Sequence, residues 1–319
     1  MATMTIPEVM KAARIHSFGG PEVVAVEEVA LPRPKPDEVL VRVHAAGVNP
    51  VDWKIREGHL GNGPLPQTLG SDLSGVVEVP GSAVKDFRAG DAVFGTVSDE
   101  SGSYAEYALA TAAQVARKPA SLDDVHAAAL PIACLTAWQA LFDHGHLQPG
   151  QKVLIHAAAG GVGGFAVQFA KFKEAHVIGT ASAQSLEYVR SLGADEVIDY
   201  RSMRFEDAVS DVDLVIDTIG GETQTRSWKV LKRGGVLVST VQPPDEKAAE
   251  QHGVRGLFMV CDLKRNDQLA RIADLVVREQ VKVKVETILP FTEARRGLDM
   301  SQSGHTHGKI VLSMEPSAR

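Results

Sequence analysis

Cysteine is nearly absent: the 319 residues hold two, Cys134 and Cys261. Two thiols support neither a disulfide framework nor a four-thiolate zinc site. That accords with a reducing compartment, and the cytoplasm is the expected location. Cys134, with nothing positive beside it, reads as a small core residue. Positive charge is short as well. The formal net charge is −7, so the chain carries no basic footprint for nucleic acid. Long apolar runs are missing too. The most apolar stretch, Ala127–Phe142, falls short of a membrane span and carries Thr136 and Gln139. It reads as a buried helix interrupted at Pro131. The opening residues Met1–Arg14 lack the apolar core of a signal peptide. What is present is 44% hydrophobic and 23% charged, an ordinary globular composition, over a length that suggests about two domains.

The stretch Lys152–Ala166 organises this composition. Val153-Leu154-Ile155 is an apolar run ended by small residues, as in a buried central strand of a parallel sheet. Ala157–Gly164 make a turn, and Phe165–Phe172 continues at helical spacing. Gly161-x-Gly163-x-x-Ala166 fits the dinucleotide fingerprint, with Gly160, Gly161, Val162 and Gly163 placed to carry a pyrophosphate. A helix N-terminus there points free N–H groups and a partial positive charge at the phosphates. A structural glycine turn is the plainer alternative. The position between a strand and a helix favours the cofactor.

The chain before this stretch reads as β-rich. Met1–Val9 is a loose extension. Strands are expected at Ala12–His16 and Val23–Val29, joined across Gly19-Gly20-Pro21. Pro32, Pro34 and Pro36 form a stiff connector. Val39–Val48 alternates, as a half-buried antiparallel strand does. Asn49–Gly63 is polar and glycine-rich, with Trp53 embedded in it. Gly75–Val79, Ala92–Thr96 and Tyr104–Leu109 are further short strands, and the whole suggests a compact barrel-like domain. Near Ser121 the period changes, and Ser121 or Asp123 can cap a helix.

From Lys152 strand and helix alternate. Strands are expected at His176–Thr180, Glu196–Asp199, Asp213–Asp217, Val236–Thr240 and Leu257–Val260. Helices are expected at Ser185–Leu192 and at Glu222–Leu231, the second ended by Gly234-Gly235. Such a rhythm gives a parallel sheet covered on both faces. An amphipathic helix from Asn266 to about Val277, a strand at Lys282–Ile288, a helix at Thr292–Met300 and a strand at Lys309–Ser313 close the chain. The fold class is α/β. A β-rich domain over 10–125 and 265–319 holds an inserted Rossmann domain, a doubly wound parallel sheet, over 126–264.

One further absence concerns the cofactor. An acid about 20 residues after the glycines commonly holds the ribose 2′-hydroxyl of NAD. Here the second strand ends Gly179-Thr180-Ala181-Ser182, with no acid. Small hydroxyl residues admit a 2′-phosphate and donate hydrogen bonds to it, so NADPH is expected. Ser182 as the cap of the next helix is compatible with that role. Arg201, after Tyr200, is one nearby cation.

Several motifs carry a resemblance. They include Ala45-Ala46-Gly47-Val48-Asn49-Pro50-Val51-Asp52, Gly70-Ser71-Asp72-Leu73-Ser74-Gly75 and Gly90-Asp91-Ala92-Val93-Phe94-Gly95. Leu130-Pro131 with Leu135-Thr136-Ala137, Leu192-Gly193-Ala194-Asp195, Ile198-Asp199-Tyr200 and Gly308-Lys309-Ile310-Val311-Leu312 continue them. The chain resembles the zinc-independent quinone oxidoreductase branch of the medium-chain dehydrogenase/reductase superfamily over nearly its whole length. The resemblance implies a GroES-like β-domain plus a Rossmann domain, often in homodimers or homotetramers. It implies NADPH-dependent reduction of quinones or α,β-unsaturated carbonyls.

The resemblance also implies roles for single residues. Zinc-dependent relatives typically carry a cysteine where Asn49 stands, and Gly-His-Glu where Gly70-Ser71-Asp72 stands. Asn49 and Ser71 are poor zinc ligands. His144-x-His146 and His305-x-His307 lack a third ligand nearby in sequence and read as solvated. Asn49 stands beside nicotinamide and substrate in the family, although a turn residue before Pro50 is the rival. Asp52 is a structural carboxylate or a proton relay. Trp53 walls the acceptor pocket or packs in the core. Tyr104 donates a proton or packs in a strand. Thr136 lies near the nicotinamide carboxamide, or bonds its own helix. Ser182 and Tyr200 resemble the contacts to the adenosine 2′-phosphate. Gln184 stands where many relatives carry a lysine. Thr240, Phe258 and Val260 are expected on the nicotinamide side, because ligands bind at the carboxyl ends of parallel strands. The expected reaction is positioned hydride transfer without a metal. Alternatives are an enone or enoyl reductase with little quinone activity, and a catalytically silent NADPH-binding protein. No Tyr-x-x-x-Lys follows Tyr104, Tyr107, Tyr188 or Tyr200, which argues against the short-chain mechanism.

Overall fold

A computed structural model describes residues 6–61, 63–304 and 306–314. The chain divides into two compact units. One comprises Met1–Ile132, Leu263–Val277 and Val283–Arg319, the other Ala133–Asp262 and Arg278–Lys282.

The first unit opens with strands β1 (Val9–Ile15), β2 (Val24–Ala30) and β3 (Glu38–Val48). Helix α1 (Pro50–Arg56) follows, then β4 (Gln67–Thr68), β5 (Asp72–Pro80), β6 (Ala92–Thr96), β7 (Tyr107–Thr111), β8 (Val115–Arg117) and helix α2 (Asp124–Ala128). Strand β1 pairs antiparallel with β2 and β4 in a small sheet. Strand β3 pairs antiparallel with β5 and β7. Its alternation suggested one buried face. In fact only Arg42 and His44 reach partial exposure. Val39, Val41 and Val43 pack in one core cluster, while Ala46 and Val48 pack in another, so both faces are covered.

The polar segment after β3 holds α1, an element that hydrophobic periodicity does not reveal. Its start follows from capping chemistry instead. Asn49 is the N-cap in extended conformation, Pro50 takes the first helical position, and the Asp52 carboxylate three residues on accepts the Asn49 backbone N–H, one half of a capping box. Tyr104 lies ahead of β7 and not inside a strand. Asp123, not Ser121, caps α2, accepting the His126 N–H at 2.8 Å.

Helix α3 (Pro131–Trp138) leads into the second unit. There follow β9 (Lys152–Ile155), α4 (Gly161–Phe172), β10 (His176–Ala181), α5 (Leu186–Ser191), β11 (Glu196–Asp199) and α6 (Phe205–Ala208). The second half is β12 (Val212–Asp217), α7 (Gly221–Ser227), β13 (Leu231–Ser239), α8 (Glu246–His252) and β14 (Arg255–Phe258). All six strands are parallel, in the order β11-β10-β9-β12-β13-β14. That is the doubly wound Rossmann order, whose chain reverses direction of travel between β9 and β12. Helix α4 begins earlier than expected, so Gly161 and Gly163 sit in its first turn. Helix α7 stops at Ser227, and β13 runs straight through Gly234-Gly235 because Leu231 already pairs with Val212. Helices α6 and α8 were not anticipated. Helix α8 is short and polar, and is started by Asp245 accepting the Lys247 and Ala248 N–H groups.

The chain then returns to the first unit through α9 (Asn266–Val277), β15 (Val285–Pro290), α10 (Ala294–Gln302) and β16 (Lys309–Ser313). Strand β16 pairs antiparallel with β3, with Ile310 opposite Val48. This register brings the last strand to the point where β3 ends and α1 begins. Among the described residues no helix is long and apolar enough to cross a membrane.

Candidate active site

In the second unit, β9 ends at Ile155 and α4 begins at Gly161. Gly160 is the N-cap in extended conformation and, lacking a side chain, makes no cap hydrogen bond. The first-turn N–H groups are therefore uncapped by the chain, which suits an anion at the positive end of a twelve-residue helix. Gly163 is required for a different reason. A Cβ there would lie 2.2 Å from the Ala157 carbonyl oxygen, so only glycine lets helix and turn approach this closely.

The other expected cofactor residues, Thr136 excepted, lie at the carboxyl ends of the same sheet. Ser182 follows β10, and its hydroxyl sits 3.0 Å from that of Ser185 without capping the short helix behind it. Tyr200 follows β11 and is exposed, with the Arg201 guanidinium 5.7 Å over its ring. The pairing of Ala181 with Asp199 sets Ser182 and Tyr200 at neighbouring strand ends. Thr240 follows β13, its N–H bonded to Asp217 at 3.0 Å. Phe258 ends β14 and Val260 lies just beyond, both exposed. Thr136 is buried within α3.

His156, unremarked in the sequence, supports this edge. Ser227 Oγ donates to Thr223 O at 2.7 Å and lies 2.9 Å from His156 Nε2. Nε2 must therefore carry the proton and donate to Ser227. Nδ1, 3.1 Å from Thr180 Oγ1, accepts from that hydroxyl. Thr218 Oγ1 donates to the His156 carbonyl at 3.1 Å. The imidazole is fully buried, and burial pushes its pKa down to about 4.

In the first unit the structure joins Asn49, Asp52 and Tyr104 in one buried cluster. Asp52 Oδ2 accepts the Asn49 backbone N–H at 2.8 Å and the Tyr104 hydroxyl at 2.7 Å. Asp52 Oδ1 accepts from Ser71 Oγ at 3.2 Å. Burial pushes the Asp52 carboxyl up to about 6, against the pull of these donors. The Tyr104 hydroxyl, fully buried beside that carboxylate, is pushed well above its ordinary value. Gly70, at φ +91°, admits the Tyr104 ring, which a Cβ would meet at 2.2 Å.

Two further members went unassigned in the sequence reading, Asp72 and Lys309. Asn49 Nδ2 donates to Asp72 Oδ2 at 2.8 Å, and the Ile132 N–H reaches Asp72 Oδ1 at 3.0 Å. Lys309 Nζ donates to Val48 O at 3.1 Å and to Asn49 Oδ1, and lies 3.6 Å from Asp72 Oδ2. A lysine opening an apolar last strand was the one available signal. Burial raises the Asp72 carboxyl, with the Lys309 charge opposing. Trp53 is half-buried against the core cluster of Leu69, Tyr104 and Leu298, with His59 edge-on at 5.9 Å.

A two-unit protein with a Rossmann sheet and an uncapped dinucleotide turn has the design of a nucleotide-dependent dehydrogenase or reductase. The alcohol dehydrogenase GroES-like domain family matches residues 35–120, and the zinc-binding dehydrogenase family matches residues 192–312. The chain is 36% identical to the NADPH-dependent alkenal/one oxidoreductase of Arabidopsis thaliana chloroplasts, over 98% of this chain and 81% of that protein. The solved structure of the quinone oxidoreductase from Coxiella burnetii is 34% identical, with TM-score 0.90 over 96% of this chain and 100% of that one. That of Escherichia coli quinone oxidoreductase complexed with NADPH is 30% identical, with TM-score 0.88 over 95% and 99%. The chain belongs to the quinone oxidoreductase branch of the medium-chain dehydrogenase/reductase superfamily, and is an oxidoreductase.

The second family's description raises zinc, and the residues here do not fit it. The Asn49 amide is taken by Asp72 and Lys309, and the Ser71 hydroxyl donates to Asp52. An ammonium group already stands beside the carboxylate of Asp72. Among the described residues no three His, Cys, Asp or Glu side chains are grouped to hold a metal. Of the histidine pairs, His305 lies outside the described residues.

Proposed function

We propose that this chain is an NADPH-dependent, metal-independent reductase of quinones or α,β-unsaturated carbonyls. The observation that carries the reading is that Asn49 and Ser71 stand where metal-dependent relatives carry ligands, the Asn49 amide engaged by Lys309 and Asp72 and the Ser71 hydroxyl by Asp52. Without a Lewis acid the acceptor must already be electrophilic, as a quinone or an activated enone is. Bound NADPH supplies the hydride.

The chain's own residues bind and orient. N–H groups at Gly161, Val162 and Gly163 hold the pyrophosphate, while the expected Gly160 only shapes the turn, its own N–H being bonded to the Ala157 carbonyl at 2.9 Å. Ser182, Tyr200 and Arg201 receive the 2′-phosphate, and no acid ends β10 to repel it. Thr136, Thr240, Phe258 and Val260 line the nicotinamide side. Asn49 offers an N–H to the acceptor carbonyl or to a ribose hydroxyl, and Trp53 walls the acceptor. Asp52 and Tyr104 act from behind, since their polar atoms are spent on one another and on Asn49. The proton comes from solvent. Orientation supplies most of the acceleration. The enone-selective reading draws support from the alkenal/one oxidoreductase relative. The protein is a cytoplasmic homodimer or homotetramer that takes small-molecule substrates. Light scattering checks the assembly.

The test is oxidation of NADPH and of NADH over a panel of quinones and enones, with metal analysis of the purified protein. Faster turnover with NADPH, unaffected by chelators, is expected. Stoichiometric zinc, tighter binding of NADH, or binding without turnover on every acceptor would each overturn part of the reading. The last outcome marks a silent NADPH-binding protein.

A further inference from the structure

The chemistry of the first unit's buried cluster leaves the Asn49 amide one orientation. Lys309 is a donor only, so the amide atom facing it must be the oxygen. Asp72 takes an N–H from Ile132 on one oxygen and faces the Lys309 ammonium with the other. A carboxylate so placed is an acceptor, so the amide atom facing it must be the nitrogen. The two contacts agree. With the main-chain N–H of Asn49 held by Asp52, the residue is fixed at three points. One Nδ2 hydrogen goes to Asp72, and the second is unspent within the cluster. The pin arrives from the far end of the chain, because the register of β16 on β3 sets Lys309 beside Val48 and Asn49.

We propose that Lys309 is a positioning residue for the reaction: its ammonium pins Asn49 Oδ1 and so aims the remaining amide N–H at the group Asn49 contacts. This rests on the proposed role of Asn49 as that contact. Lys309 acts through Asn49, because its own ammonium is engaged by the Val48 carbonyl, Asn49 Oδ1 and the Asp72 carboxylate. The rival is that Lys309 merely neutralises Asp72, a matter of stability alone. The two differ in what happens when Asn49 is removed.

The experiment is a double-mutant cycle on the full enzyme with Lys309→Met and Asn49→Ala. It reads kcat and KM for NADPH and a quinone, with melting temperature measured in parallel. Lys309→Met is expected to lower kcat/KM by about 10- to 100-fold in the parent, the range that loss of orientation produces. In the Asn49→Ala background the same change should cost roughly threefold or less, because nothing is left to aim. An equal factor in both backgrounds overturns the proposal, whatever happens to the melting temperature. Should Lys309→Met not fold, the amide resonances of the unaltered enzyme decide. The unaltered enzyme gives an independent reading. By NMR one Asn49 side-chain amide proton is expected well downfield of its partner, held by the Asp72 carboxylate, and a separation like that of a free asparagine amide would show that the amide is not pinned. If Asn49→Ala alone turns over like the parent, the reading of Asn49 as a contact fails, and the amide resonances still judge the pin.

Discussion

At the scale of single residues, Asp52 shows how burial and hydrogen bonding compete. Burial holds its carboxyl near 6, while Asn49 and Tyr104 donate to the ionised form and pull it down. The folded value stands above the ordinary 3.8, so the fold binds the extra proton between those two values. Stability from this group is therefore fully present below about pH 4 and lost as pH rises through 6. Tyr104→Phe removes a donor to the ionised form and should raise the carboxyl further. The expected loss is about 1–3 kcal/mol at pH 7 and clearly less at pH 5, where Asp52 is protonated. Urea unfolding at the two pH values measures it. An equal loss at both would mean that Asp52 is not the titrating group. Because the Tyr104 hydroxyl is spent inside the cluster, kcat should change only through the aim of Asn49.

At the scale of elements, the junction of β9 and α4 separates two glycines that look alike in the sequence. Gly161 opens the helix and is partly exposed, whereas Gly163 is buried against the Ala157 carbonyl. Gly161→Val should leave a folded protein that has lost NADPH affinity. Gly163→Val should lower the melting temperature as well, since its Cβ has no room. Circular dichroism with cofactor titration tells them apart, and retained NADPH binding in Gly161→Val would contradict the site. This junction was legible because strand, turn and helix are contiguous and each has its own period. Helix α1 was less so. Its seven residues are too few for a hydrophobic period, and only the cap chemistry of Asn49, Pro50 and Asp52 announces it. A lysine opening an apolar last strand marks Lys309 in the sequence, but not its role, because its partner Asn49 lies 260 residues away and is set by strand register, a property no local pattern carries. Elements in the parallel sheet were read well, except where a short polar helix such as α8 buries little apolar surface.

At the scale of the whole molecule, acid should act on the two units by different groups. In the second unit His156 is kept neutral, its value lowered from 6.5 to about 4. The unfolded chain takes up this proton first, so the unit's stability is full above about pH 6.5 and falls as pH drops toward 4. A shift of this size is worth at most about 3 kcal/mol over that window. In the first unit Asp124 is held down to about 2 by His44, Ser74 and Lys118, so its contribution fails only below the ordinary carboxylate range. Asp52 works in the opposite sense, favouring the first unit as pH falls from 6 to 4. Tryptophan fluorescence can follow one unit alone. Trp138 and Trp228 lie in the second unit and Trp53 in the first, so Trp53→Phe leaves emission from the second unit only. In that background the urea midpoint should fall between pH 7 and pH 4.5 by the equivalent of about 2–3 kcal/mol. His156→Gln should flatten this fall, because a neutral amide can still accept from Thr180 and donate to Ser227 without gaining a proton. A fall of unchanged size in His156→Gln would assign the acid sensitivity to another group. A midpoint already flat with His156 present would mean that the imidazole takes up its proton without opening the chain from Thr180 to Ser227.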